Sequence, residues 1–115
     1  MSQLVEVRAI VRRQVLERVV RCLNDAGIPR VTVSKGHAVG EAVAADPAHF
    51  GEEGVAYRDV ALVQCICSRD RCAMVTELIR RAAHTGQPGD GIVSVHPVLE
   101  LTKILTGDTG LAALA

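Results

Sequence analysis

Aromatic mass is nearly absent from this chain of 115 residues, which has one Phe, one Tyr and no Trp. Its core must be aliphatic, and aromatic platforms for stacking single-stranded nucleic acid are excluded. Charge of one sign is also lacking, with 13 Lys and Arg set against 13 Asp and Glu. Without a basic excess, general nucleic-acid binding through phosphate neutralisation is not expected. No run approaches the roughly 18 apolar residues of a membrane span, so no direct membrane insertion is expected. No secretory leader precedes the first periodic segment. The four cysteines lack the wide, even spread of a secreted scaffold and read as reduced thiols of a cytoplasmic protein. Neither G-x-x-x-x-G-K-S/T nor a G-x-G-x-x-G after a strand occurs, which removes both common nucleotide fingerprints. At this length a single domain, 1–115, with a modest core is expected.

What is present alternates in a simple order. Residues 4–11, L-V-E-V-R-A-I-V, read as a strand. The run from Arg12 to Gly27 places Val15, Leu16, Val19, Val20 and Leu23 on one helical face, with Arg12, Arg18 and Arg21 turned largely away. Gly27 fits a helix cap and Pro29 stops the helix. A second strand begins at Val31 and runs toward Val39. The pattern then fails for about twenty residues, and a loop of that length in a small domain is expected to be mobile and functional; it is placed at 37–56. A short helical turn at Ala42–Val43–Ala44–Ala45 is the plain alternative. V-A-L-V-Q-C-I-C, 60–67, reads as a strand buried on both faces. Ser68 is expected to cap the next helix, with Asp70 in its first turn and Cys72, Val75, Leu78, Ile79 and Ala82 as its apolar stripe. I-V-S-V-H-P is a further strand, and L-E-L-T-K-I-L, 99–105, reads as the last one.

Two strand–helix–strand units in series give an α+β, ferredoxin-like βαββαβ sandwich with its helices on one sheet face. The other face needs a cover, and association through it is the simplest one.

The chemistry-bearing candidates are few. T-G-Q-P-G-D-G, 85–91, holds three glycines that can bring backbone amides close to an anion. Asp90 could accept from sugar hydroxyls or brace the turn itself. A glycine-rich turn without a ligand is the alternative. Cys65, Cys67 and Cys72 lie within eight residues and could hold a soft metal, with Cys22, His37 or His49 as a fourth ligand; core thiols and a redox role are the competing readings. His84 fits the end of a helix, His96 the end of a strand. No Ser-His-Asp or Cys-His arrangement assembles, and the only asparagine is Asn24, so catalysis has no support.

T-G-Q-P-G-D-G resembles the T-G-x-x-G-D-G segment of PII-type signalling proteins, matched by Thr85, Gly86, Gly89, Asp90 and Gly91. The likeness extends to Ala26–Gly27, V-T-V at 31–33, R-R-A-A-H-T-G at 80–86 and T-G-D at 106–108. It implies a homotrimer that is not an enzyme and has no tightly bound cofactor. Adenine nucleotides would lie in the clefts between subunits, and the long loop 37–56 would contact a membrane transporter or metabolic enzyme. By matched position Gly86, Gly89, Asp90 and Gly91 would form the nucleotide-side loop. Lys103, Thr106 and Gly107 would come from the adjacent subunit, with Lys35 near the ligand. The departures imply further expectations. Ile92, Gln87 and Leu105 stand where typical members carry basic residues, which shifts the expected ligand from ATP toward ADP or AMP. The usual loop sequence with its glutamine is also missing, Gly40 being the best match, so magnesium-dependent 2-oxoglutarate sensing is not expected. Divergent relatives tied to nitrogen or inorganic-carbon metabolism suggest bicarbonate as a second ligand, with Lys35, Arg58 and Gly40 as small-anion candidates. Tyr57 reads as an interface or edge-strand aromatic.

Overall fold

The computed structural model describes residues 3–39, 49–50 and 56–115. Five strands and two helices follow in order: β1 (Leu4–Arg12), α1 (Leu16–Asp25), β2 (Val31–Val39), β3 (His49–Phe50), β4 (Ala56–Ser68), α2 (Cys72–Ala83) and β5 (Gly91–Val98). The sheet runs β2-β4-β1-β5, with the two-residue β3 paired to β4, and all its pairings are antiparallel. Each helix therefore joins strands that have a third strand between them, which is the split βαβ arrangement of a ferredoxin-like sandwich.

Strand parity decides the layers. Val5, Val7, Ala9 and Val11 of β1 stand beside Cys67, Cys65, Val63 and Ala61 of β4, and all eight belong to one buried cluster. Val19 and Leu23 come down on this face from α1, with Val15 from the turn before it, and Val75, Ile79 and Ala82 from α2. The β-branched alternation of the strands and the three-to-four spacing of the helices meet here. The opposite parity of the sheet carries no helix. Val60 on that side is buried, but Ile10, Leu62 and Ile66 are half-buried within one chain, so the strand expected to be buried on both faces is fully covered on one and partly on the other.

The helix ends differ from the sequence reading. α1 begins after a 3-10 turn at Arg13–Val15, and β1 continues through Arg12, which the periodicity had given to the helix. Its far end closes as expected: Gly27 takes φ +79° while the Ile28 amide donates to the Leu23 carbonyl at 3.0 Å. Ser68 precedes a 3-10 turn, Arg69–Arg71, and its side chain makes no capping bond, so α2 starts only at Cys72.

Two larger corrections concern the loop and the tail. His37, Ala38 and Val39 are strand residues, as are His49, Phe50 and Ala56. The stretch expected as one loop over 37–56 is thus narrower at both ends and interrupted, and its turn at 42–45 and Gly40 lie outside the described residues. Residues 99–105 form no strand. The segment turns instead, with an isolated bridge between Thr102 and Thr109, and leaves Leu99, Ile104 and Leu105 exposed.

Candidate functional site

The loop between α2 and β5 is built around one carboxylate. Asp90 Oδ2 accepts from the backbone amides of Thr85 at 2.8 Å and Gly86 at 3.0 Å. Asp90 Oδ1 accepts from the Thr85 hydroxyl and from Arg12 Nε, the latter at 3.1 Å. The Thr85 hydroxyl oxygen in turn accepts from the Gln87 amide at 3.2 Å. Donation from the Thr85 side chain and backbone holds the Asp90 carboxyl well below the usual range, with Arg12 and the Gly86 amide adding to it. Of the two roles open to Asp90, bracing the turn is the one seen.

Two glycines in this loop are required by their surroundings. Gly91 has φ +109°, and a Cβ there would fall 1.8 Å from the Ile10 carbonyl oxygen across the β1–β5 pairing. Gly89 has φ +96°, and its Cβ would fall 1.9 Å from Arg58 Nη1. At Gly91 the obstacle is backbone and only a bare residue fits, whereas at Gly89 a side chain would strain the turn and push the Arg58 guanidinium aside.

Two arginines reach the loop from the sheet. Arg12 Nη2 donates to the Pro88 carbonyl at 2.6 Å, and Arg58 Nη1 donates to the Gly89 carbonyl at 2.9 Å. Arg58 is 9% exposed, a nearly buried cation. Beside it lies a cavity of about 460 Å³. Arg58, Gly89, Asp90 and Gly91 line its polar side, and Ile10, Ala38, Val39 and Val60 give it an apolar wall. Ile92 stands at its rim, 64% exposed. An apolar wall next to a cation and a glycine-rich turn suits a ligand that is flat and apolar at one end and anionic at the other.

The structure thus brings together Arg58, Gly89, Asp90 and Gly91, with Gly86 held behind them by Asp90. It does not bring Lys35 to the same place. Lys35 lies opposite Ala61 and so on the helix side of the sheet, whereas Arg58 lies opposite Ala38 on the other side. The two do not form one small-anion pocket. Lys103, Thr106 and Gly107 belong to the turn closed by the Thr102–Thr109 bridge and do not line the cavity at Arg58 or the one between α2 and β5 that Asp90 and Gly91 also border. Within that turn the Gly107 amide donates to the Lys103 carbonyl at 2.8 Å, and Lys103 Nζ donates to the Ala115 carbonyl at 2.7 Å.

The cysteine alternative fails on packing. Cys65 and Cys67 point into the aliphatic core, and among the described residues no three metal-ligating side chains converge. Burial, and next to it the Cys67 thiol, pushes Cys65 up to about 11. Burial likewise raises Cys67. A metal needs the thiolate, which this environment disfavours. His84 follows the last turn of α2, as expected, while His96 lies within β5 and bonds Ser94 Oγ at 2.8 Å. Tyr57 is no edge residue: β4 sets it between Val39 and His49, its ring edge-on to His37 at 4.5 Å.

Arg12, which braces the loop through Asp90 and Pro88, is the residue of the candidate site that the sequence does not single out. Its signal was parity, since it falls two places after Ile10 on the helix-free face, but the helical periodicity of the following run claimed it.

The family model for nitrogen regulatory protein P-II matches residues 4–108. The chain belongs to the nitrogen regulatory P-II family. A P-II protein of Rhizobium meliloti is 31% identical over 110 residues, which is 95% of this chain and 98% of that protein. Nitrogen regulatory protein GlnK2 of Haloferax mediterranei is 33% identical over 109 residues, 94% of this chain and 89% of that one. A crystal structure of Arabidopsis thaliana PII bound to citrate superposes with a TM-score of 0.79 at 26% identity, covering 97% of this chain and 90% of that one. The family is regulatory by name, and the match to its model spans the braced 85–91 loop. Among the described residues no helix is long and apolar enough to cross a membrane.

Proposed function

We propose that this P-II chain is a non-catalytic, cytoplasmic sensor of adenine nucleotides that controls a partner protein of nitrogen or inorganic-carbon metabolism. It acts as a homotrimer joined through the helix-free sheet face, with ligand held in clefts between copies. One copy supplies the cavity of Arg58, Gly89, Asp90 and Gly91, and the next supplies Lys103, Thr106 and Gly107. The observation that supports this most directly is the cavity itself, apolar on one side and lined by a buried cation and a braced glycine turn on the other. Adenine suits the apolar wall, and phosphates suit the turn.

The ligand carries few phosphates. Ile92, at the cavity rim, and Leu105, 86% exposed in the C-terminal turn, bring no charge to a terminal phosphate. ADP or AMP is therefore favoured over ATP, and bicarbonate binds beside the nucleotide at Arg58. The partner, a transporter or a metabolic enzyme, is contacted through the segment between β2 and β4.

Calorimetric titration with ATP, ADP and AMP, each with and without bicarbonate and magnesium, tests this. One nucleotide per subunit, ADP or AMP binding more tightly than ATP, is the expected result. The absence of heat with all three overturns the nucleotide reading. Tighter ATP binding overturns only the phosphate preference.

A further inference from the structure

Arg58 sits where two parts of the molecule meet. Its backbone pairs with Ala38, next to the last residue of β2, and it lies two residues into β4. Its guanidinium fills the space beneath Gly89 and donates to the Gly89 carbonyl. Arg12 holds the preceding carbonyl, that of Pro88, in the same way. A trans peptide points its N–H opposite to its C=O. Fixing the carbonyls of Pro88 and Gly89 on the guanidinium groups therefore turns the amides of Gly89 and Asp90 to the other side of the turn. Two successive amides fixed in this way form an anion-binding concavity.

The neighbours of Arg58 extend the connection. Tyr57 packs on the His37 ring, and the Asp59 carboxylate lies 3.1 Å from His37 Nδ1 and pairs with Arg13 Nη1 at 3.3 Å. Residues 57–59 thus bind the root of the β2–β4 hairpin to β2, to the 85–91 turn and to the 3-10 turn that precedes α1. Releasing the Gly89 carbonyl costs a nearly buried guanidinium one of its hydrogen bonds, which couples the position of the turn to that of Arg58.

We propose that Arg58 is a positioning residue with two linked duties. It sets the amides of the 88–90 turn for an anion, and it carries the state of that turn into the hairpin root at Tyr57. That the anion belongs to an adenine nucleotide rests on the reading given above; the mechanical link does not.

The chain has one tyrosine and no tryptophan, so intrinsic fluorescence reports the hairpin root alone. Without any ligand, Gly89→Ala must displace the Arg58 guanidinium, and Arg58→Met removes it. Each is expected to change Tyr57 emission in the same direction, and the double variant is expected to change it no further. Arg58→Met gives the same readout should Gly89→Ala fail to fold, with circular dichroism as the check on each. Unchanged Tyr57 emission in folded Arg58→Met overturns the link. With ADP, the wild-type chain is expected to show calorimetric heat and a Tyr57 change that saturate together. Arg58→Met is expected to bind about tenfold more weakly or worse, to lose the Tyr57 change, and to recover part of the affinity as Arg58→Lys. Undiminished ADP affinity in Arg58→Met overturns the positioning role. If the wild-type chain takes up no adenylate, the nucleotide reading falls, and the ligand-free comparison still decides the link.

Discussion

At the scale of single residues the 85–91 turn is over-determined, and its determinants can be removed one at a time. Gly91 is the most demanding. A side chain there meets both a left-handed φ and the Ile10 carbonyl 1.8 Å away, so β5 must leave its register with β1 to accept it. Gly91→Ala is expected to cost about 2–4 kcal/mol of stability, by strain and lost pairing, read as a lower midpoint in urea with little change in slope. Asp90 acts electrostatically. Its carboxyl is depressed in the folded chain, chiefly by the Thr85 hydroxyl and amide and then by Arg12 and Gly86. A group depressed on folding stabilises at pH above its unfolded value and loses that contribution as pH falls toward its folded value. The melting temperature is therefore expected to hold from neutral pH down to about pH 4 and to fall below it. Asp90→Asn is expected to be less stable at neutral pH and to show a flatter acid limb. An acid limb identical to that of the wild type would show that Asp90 does not anchor the turn.

At the scale of elements, the helices contribute through a few fully covered side chains. Leu23 is fully buried between α1 and the sheet, whereas Met74 on the outer side of α2 is exposed. Leu23→Ala is expected to lower stability by about 2–5 kcal/mol, while Met74→Ala is expected to change it by less than about 0.5 kcal/mol. Chemical denaturation of the two variants separates them. Thiol reactivity gives an independent check on the same packing. Cys22 and Cys72 are half-buried and Cys65 and Cys67 are core residues with raised thiols. Two thiols per folded chain are expected to react with an aromatic disulfide at neutral pH, and the other two only on unfolding.

The same elements show what the sequence could convey. The β-branched strands, the apolar faces of α1 and α2 and the Gly27 end were legible, because alternation and three-to-four spacing record burial against a neighbour in the same chain. The reading failed where that record is ambiguous. L-E-L-T-K-I-L alternates like a strand, but Leu99, Ile104 and Leu105 are covered by none of the described residues. Arg12 fits a helix period and a strand parity equally, and only tertiary pairing decides between them. At the site, T-G-Q-P-G-D-G announced a tight turn. It could not reveal that Arg58, 31 residues earlier than Gly89, lies beneath it, or that strand parity sends Lys35 to the other side of the sheet.

At the scale of the whole molecule, the proposed trimer joins two observations, a sheet face without helices and a C-terminal turn apart from the cavity at Arg58. Lys103, Thr106 and Gly107 border none of that cavity, so the proposal places a ligand that touches both sets between two copies. In the proposed trimer, docking through Ile10, Leu62 and Ile66 would cover the face that one chain leaves open. Leu62→Arg places a charge in the middle of that face and is expected to give a monomer by light scattering that no longer binds ADP at micromolar concentrations. A sharper consequence concerns mixtures. Lys103→Ala is expected to damage every cleft from the side of the C-terminal turn, and Asp90→Ala from the side of the glycine turn. When equal amounts are unfolded together and refolded, each cleft draws its two halves independently from the two kinds of chain. About a quarter of the clefts then receive both intact halves, and about that share of wild-type ADP sites should return. If the ligand is held within a single copy, no chain in the mixture is intact, and refolding together restores nothing.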